Sequence, residues 1–262
     1  MISAGLLRLA LFLGIFALMA FLEWRRPMRR LAVARGPRWL TNWAMSILDA
    51  LTVRLLFGAA AVGAALDAAA RGWGLFHALA LPSWAAFVLG FLLLDFAIWL
   101  QHLVMHKVPV LWRLHRVHHA DRDVDVTTGI RFHPVEIALS MAFKIGLVYA
   151  LGIPVGAVLA FEVVLNGMAL FNHANLRLSP GLERALRRLL VTPDMHRIHH
   201  SVDRAEHDAN YGFNLSIWDR LFGTYVPEPK AGQQGMTLGL PEWQDERPSR
   251  LGWSLLLPFR RR

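Results

Sequence analysis

The 262-residue chain contains no cysteine. That excludes disulfide bonds, an iron–sulfur cluster held by cysteines of this chain, and haem attachment through CxxCH. Acidic residues are scarce: 19 Asp and Glu stand against 28 Lys and Arg, a formal net charge of +9. So basic a balance raises the question of nucleic acid, but no basic soluble module with a recognisable motif is present, and nucleic acid is not an expected partner. No HExxH zinc-hydrolase motif occurs. The run Asp121, Asp123, Asp125 falls short of a calcium loop, because Val126 stands where glycine is needed and Phe132 where the closing glutamate belongs. Ser/Gly-rich linkers and low-complexity blocks are also missing. Only the stretch after about Val226 (PEPKAGQQG, then QDERPSR) is Pro/Gly-rich and polar, and it is expected to be loosely ordered.

What the chain has is apolar length: 55% of its residues are hydrophobic. Trp84 to Leu100 holds one charge, Asp95, in 17 residues, and Ala4 to Leu22 is interrupted only by Arg8. Runs near 20 residues match a hydrocarbon layer roughly 30 Å thick. Asn42 to Ala65 forms another run, carrying Asp49 and Arg54. Val135 to Leu151 and Pro154 to Phe171 are two more, joined by a Gly-x-Pro turn at Gly152. These patterns predict an all-α polytopic membrane bundle of four or five spans. The first run is expected to be a retained span rather than a signal peptide, since it ends in ALMAFLEWRRP with no small-x-small cleavage site.

Lys and Arg set the expected orientation. Residues 23–41, 106–134 and 174–262 carry 24 of the 28, whereas the loop 67–82 carries only Arg71. Five spans place all three basic regions on one side, the cytoplasmic one, with the N-terminus outside.

Histidine carries the chemistry. Of twelve, eight fall into three clusters: His102 and His106 as HxxxH, His115, His118 and His119 as HRVHH, and His196, His199 and His200 as HRIHH. On a helix, positions i, i+3 and i+4 share a face, so each cluster can aim two or three imidazoles at one point. His173 closes the fifth span. Nine imidazoles thus gather at the cytoplasmic face from four segments. Neutral imidazole binds zinc, iron, copper or nickel. Nine exceed the needs of one ion and suit two metals with four or five His each. His133 opens the fourth span and reads as an interface residue. His77, on the far side, and His207, in a polar loop, are not expected ligands.

Other polar residues follow from spacing. Asp95 lies seven residues before His102, on the same helical face, where it could accept the spare N–H of a ligating histidine or, equally, make a hydrogen bond to another span. Lys144 and Glu162 stand equally far from the turn at Ile153, so antiparallel helices would pair them at one depth as a structural ion pair. Thr192, Pro193 and Asp194 read as a helix start that fixes the second pentapeptide. Arg116 and Arg197, within the pentapeptides, are expected at the surface. Trp218, Asp219 and Arg220 are expected to pack the tail against the histidine core.

The ordered boxes HxxxH, HxxHH, HxxHH after hydrophobic spans resemble the fatty acid hydroxylase / sterol desaturase superfamily. The resemblance runs from about Leu92 to Tyr225 and includes LLDFAIWLQHLVMH, LWRLHRVHH, TTGIRFHPVE, FNHANL, TPDMHRIHHS and NYGFNLSIWDRLFGTY. It implies a catalytic domain over residues 81–226, with N-terminal spans (1–80) outside it and a cytoplasmic tail (227–262). It implies a non-haem di-iron centre held by His102, His106, His115, His118, His119, His196, His199 and His200, with His173 as a ninth ligand. Zinc can replace the iron in purified protein. The implied activity is oxygen-dependent hydroxylation or desaturation of a lipid. Electrons would come from a ferredoxin, a haem protein or a reductase, and the implied location is a bacterial inner membrane. Two other readings stand beside it: a zinc-dependent membrane lipid hydrolase, and a non-catalytic haem- or metal-binding membrane protein.

Overall fold

The structure, a computed structural model, describes residues 4–260. The first three and last two residues of the expected terminal segments lie outside it. It is helical, and among the described residues the only β pairing is three isolated bridges. The long helices are α1 (Ala4–Arg25), α2 (Arg35–Phe57), α3 (Ala60–Arg71), α5 (Ser83–Lys107), α7 (Pro134–Leu151) and α8 (Val155–His173). The short α4 (Leu75–Ala78) joins α3 to α5, and α6 (Pro109–His119) follows α5 after one residue. Beyond α8 come α9 (Pro180–Leu186), α10 (Pro193–His199), α11 (Arg204–His207), α12 (Ile217–Leu221), α13 (Gly232–Gly235) and α14 (Leu251–Leu256).

Among the described residues, five segments are long and apolar enough to cross a membrane: α1, the run Arg35–Ala78, α5, α7 and α8. Their outward faces carry exposed Leu, Phe and Trp side chains, as a lipid-facing surface requires. The second segment is not one straight helix. It breaks at Gly58, whose φ of 57° ends α2, and resumes as the alanine-rich α3. Ala61, Ala64, Ala65 and Ala68 are buried, and their small side chains let α3 approach α7 and α8 closely. The α7–α8 turn is the expected one. Gly152 takes the left-handed conformation (φ 67°) and caps α7 before Pro154 leads into α8. Across that hairpin Lys144 Nζ meets Glu162 Oε1 at 3.5 Å, as the symmetric spacing predicts, and Arg8 of α1 joins the same carboxylate.

The cap that covers one end of the bundle is tied to it by charge. Asp121, Asp123 and Asp125 are buried. Arg38 of α2 pairs with Asp121 and Asp125, and the Val33 amide donates to Asp123. Arg131 is fully buried. It donates to Val117 O, Asn42 Oδ1, Pro248 O and Ser254 Oγ, so one guanidinium joins α2, α6 and the tail.

Two expectations about this cap are corrected. The tail after Val226 is ordered: Met236, Leu238, Trp243, Trp253 and Leu257 are buried against the cap and α2. Arg116 and Arg197 are buried rather than at the surface. Arg116 donates to Leu257 O (2.6 Å) and Arg260 O (2.8 Å), and Arg197 pairs with Asp194 (2.6 Å) and Gln233 (2.9 Å). Composition suggests a loose tail, but those carbonyls find buried charged donors, and such hydrogen bonds are the stronger kind.

Candidate metal centre

Four pieces of backbone bring the nine histidines together. His102 and His106 come from the last turns of α5, and His115, His118 and His119 from α6. His173 is the last residue of α8, and α10 with its C-cap supplies His196, His199 and His200. Thr192 caps α10 as its sequence predicts, its hydroxyl accepting from the Met195 amide, with Pro193 at the first helical position.

All nine are buried, and they sort into two groups. His102, His106, His115, His119 and His199 form one; His118, His173, His196 and His200 form the other. Within each, ring nitrogens lie within 4.8 Å of one another. The groups touch, with ring centroids of His119 and His200 4.5 Å apart and those of His196 and His199 5.2 Å apart. Each pentapeptide serves both. HRVHH gives i and i+4 (His115, His119) to the first group and i+3 (His118) to the second. HRIHH gives i and i+4 (His196, His200) to the second and i+3 (His199) to the first. Helical geometry permits this because i+3 and i+4 diverge by about 100° around the axis, on either side of i.

The tautomers show what the groups can hold. Nδ1 of His102 lies 2.7 Å from Tyr211 O, that of His118 3.0 Å from Arg131 O, that of His173 2.7 Å from Ala169 O and that of His199 2.7 Å from Ala209 O. A carbonyl only accepts, so in each ring Nδ1 carries the proton and Nε2 the lone pair. His115 Nδ1 is held in the same way by Glu136 Oε1 at 2.7 Å. Yet the Nε2 atoms of His102 and His115 are 3.0 Å apart, those of His102 and His199 3.0 Å, and those of His118 and His173 3.1 Å. Lone pair faces lone pair with no proton to bridge them. Extra protons are disfavoured, since burial first, then neighbouring histidines, hold His118, His119, His196, His199 and His200 well below the usual imidazole value of 6.5. Among the described residues, both nitrogens of His200, and Nδ1 of His106, His119 and His196, are buried without a hydrogen-bond partner. Converging neutral donors of this kind fit a transition-metal cation in each group.

Several residues around the rings escape sequence reasoning. Glu136 orients His115. Asp208 approaches His106 Nδ1 (3.6 Å) and pairs with Lys107 (3.1 Å). His207 does not sit in an open polar loop. It ends α11, is buried, and packs its ring 4.5 Å from His119 and 4.9 Å from His106. Burial pulls its pKa down to about 4, and it belongs to neither donor group. The acid three residues after His133 and the one just after His207 were the available hints, but only tertiary contact gives them meaning.

Asp95 is corrected. It is buried but accepts from the Trp218 indole at 2.7 Å, because α12 lies against that face of α5; the histidine-orienting carboxylate is Glu136. Asp219 accepts from Trp99 and from the amides of Tyr211 and Gly212, fixing the loop whose Tyr211 carbonyl holds His102. His133 caps α7 and meets Leu255 O, and exposed His77 sits on α4 at the opposite end of the bundle.

A cavity of about 650 Å³ reaches the first group from within the spans. His102 and His115 line it, with Phe12, Ile98, Met105, Ile130, Phe132, Met141, Leu165 and Phe213 giving an apolar wall. Arg8, Asp49, Arg54, Glu136, Lys144 and Glu162 supply charged positions in its lining, and Ser46, Gln101, Ser140 and Asn166 uncharged polar ones.

The model of the fatty acid hydroxylase family matches residues 87–224. An ornithine lipid hydroxylase from Rhizobium tropici is 34% identical over 152 residues, covering 57% of this chain and 45% of that protein. An alkylglycerol monooxygenase from Xenopus tropicalis is 34% identical over 150 residues, covering 57% of this chain and 32% of its own. A fatty acid hydroxylase from a Lecanicillium species is 28% identical over 152 residues, 51% of this chain and 40% of that one. This chain thus spans less than half the length of these curated relatives. No solved structure matches it. With the family match covering more than half of the chain and including every histidine of both groups, the protein belongs to the fatty acid hydroxylase family.

Proposed function

We propose that the protein is a membrane-bound lipid oxygenase that holds two iron ions, one in each histidine group. It would insert oxygen into a C–H bond of a lipid, using dioxygen and electrons from an external donor. The observation that carries this reading is the pair of adjoining, buried groups of neutral imidazoles at the end of an apolar intramembrane cavity. Hydroxylation is favoured over desaturation by the relatives, which are named as hydroxylases and monooxygenases.

Reduced iron would supply the dioxygen chemistry. The chain does the rest. The carbonyls of Tyr211, Ala209, Arg131 and Ala169 and the Glu136 carboxylate hold the Nδ1 protons, so that Nε2 stays free to ligate. Burial holds His118 and His199 well below the usual imidazole value, favouring the neutral form that binds metal. The apolar wall accepts an alkyl portion of the lipid and excludes water from the site. The basic regions beside the cap favour the cytoplasmic face of a bacterial inner membrane, where a ferredoxin, haem protein or reductase could dock. The divisions 1–80, 81–226 and 227–262 stand as a proposal for the chain's organisation.

Neither competing reading has a matching observation. Neighbouring rings 4.3–5.6 Å apart leave no slot for a haem between them. A zinc hydrolase needs a general base at an open position, whereas Glu136 is turned to the Nδ1 side of His115. The test is mass spectrometry of lipids from cells with and without the protein, grown under oxygen-18 dioxygen. A lipid that gains the label only when the protein is present supports the reading. Lipid cleavage independent of dioxygen would refute it.

A further inference from the structure

The apolar cavity meets the first histidine group at His102 and His115. A smaller pocket, of about 220 Å³, comes to the same group past two of its other rings. Its lining belongs wholly to the cap: Trp112 and Arg116 of α6, residues 201, 202 and 204, His207, and the turn 239–243. Trp112 and His207 keep 8% and 5% of their surfaces exposed, so an edge of each reaches the pocket. On its inner side the Trp112 ring centroid lies 4.9 Å from that of His106 and 5.4 Å from that of His119. The His207 centroid lies 4.9 Å and 4.5 Å from the same two, and 4.8 Å from Trp112. Two rings outside both donor groups thus connect the pocket to His106 and His119 by direct packing. The setting is basic. Exposed Arg204 and Lys107 share one carboxylate, Asp208, and Arg113 beside Trp112 is exposed. With Arg116, four cations line or adjoin the pocket against two acids, Asp208 and Glu242, while Asp203 is matched by Lys230.

We propose that this pocket is the docking site of an acidic one-electron carrier protein, and that Trp112 and His207 pass its electrons to the first histidine group. This rests on the oxygenase reading and adds the place where electrons enter. Inserting one atom of dioxygen into a C–H bond and reducing the other to water takes two electrons and two protons. Two reduced carriers supply one electron each and leave oxidised. A surplus of positive charge draws and orients a negatively charged partner, and electron-transfer encounters need only a small contact area. The lipid and the carrier then approach one group past different ligands, His102 and His115 for the lipid, His106 and His119 for the carrier, so neither blocks the other.

The test uses iron-loaded ferric protein in nanodiscs of zwitterionic lipid, mixed without oxygen in a stopped-flow cell with two reduced acidic carriers in turn, a [2Fe–2S] ferredoxin and a soluble b-type cytochrome domain. Carrier reoxidation gives the rate, calorimetry with the oxidised carriers gives the affinity, and dithionite serves as a small reductant that needs no docking. The wild type should reoxidise at least one carrier. Trp112→Leu should slow that step at least about tenfold at saturating carrier, with dithionite reduction and iron content as in the wild type. Pro241→Trp, which fills the pocket from its rim, should block the carrier but not dithionite, and it carries the test where Trp112→Leu loses iron. Arg204→Glu should weaken carrier binding at least about fivefold, the difference shrinking at high salt, and Arg71→Glu at the other end of the bundle should change nothing. A wild type reduced by dithionite but by neither carrier, or carrier reduction that survives Pro241→Trp or an iron-replete Trp112→Leu, would overturn the inference. An iron centre that dithionite itself leaves ferric would instead sink the oxygenase reading, and carrier binding lost in Arg204→Glu would leave the docking site standing.

Discussion

Gly129 offers a test of the second histidine group from outside the ligands. It sits in the 3-10 turn Thr128–Ile130, pressed against α8. A Cβ there would lie 2.6 Å from Ala169 O and 3.4 Å from His173 Nδ1. Ala169 O is the carbonyl that accepts the His173 Nδ1 proton at 2.7 Å. For Gly129→Ala, ordinary contact requires a shift of about 0.8 Å in a backbone carbonyl at the end of a packed helix. Overpacking of this kind costs about 1–3 kcal/mol. If the strain falls on the His173 hydrogen bond, the second group loses about 5- to 150-fold in metal affinity, in line with the loss of a ligand-orienting partner. The first group, which takes no ligand from α8, should keep its metal. Elemental analysis after dialysis against a weak chelator reads the outcome: the wild type retains two metals per chain and Gly129→Ala close to one. Two metals retained with wild-type affinity would refute the argued role of that carbonyl.

Three further outcomes follow from the same geometry. His118→Ala and His199→Ala, one from each group, should each abolish activity and lower metal content, whereas His77→Ala should do neither; metal lost in His77→Ala would break the assigned topology. Arg38→Met leaves Asp121 and Asp125 buried without their cation and should destabilise the protein by about 3–5 kcal/mol; a thermal unfolding shift equivalent to less than ~1 kcal/mol would contradict it. Metal-free protein should lose stability as pH falls below 6.5. The folded pKa of His207 is depressed to about 4, so below 6.5 the unfolded chain binds the proton that the folded one refuses, worth about 3 kcal/mol for this group by the time pH reaches 4. Thermal melts of chelated protein between pH 8 and 4 (flat above about pH 6.5, falling below it) check the sign, and a rise in stability on acidification would reverse it.

The parts legible in the sequence are those governed by local period. Apolar length marks the five spans, Gly152 and Pro154 the hairpin, and Thr192 the start of α10. Equal spacing from the turn places Lys144 beside Glu162. The i, i+3, i+4 repeat shows that each pentapeptide can aim several rings at one place. It does not show that each divides them between two groups, since that depends on which neighbour flanks each side of the helix. Glu136, Asp208 and His207 are invisible for the same reason: each is brought to the rings by a different loop or helix start. The tail misleads because its polar composition argues for disorder, while buried Arg116, Arg131 and Arg197 supply donors from elsewhere in the chain. Asp95 misleads because a shared helical face says nothing of which neighbour, Trp218 or a histidine, fills the space beside it.

The account stands most directly on the metal content of gently purified protein, measured together with its absorption spectrum. Two irons per chain and no haem Soret band is the predicted result. One zinc per chain, with lipid hydrolysis that proceeds without dioxygen, would contradict it.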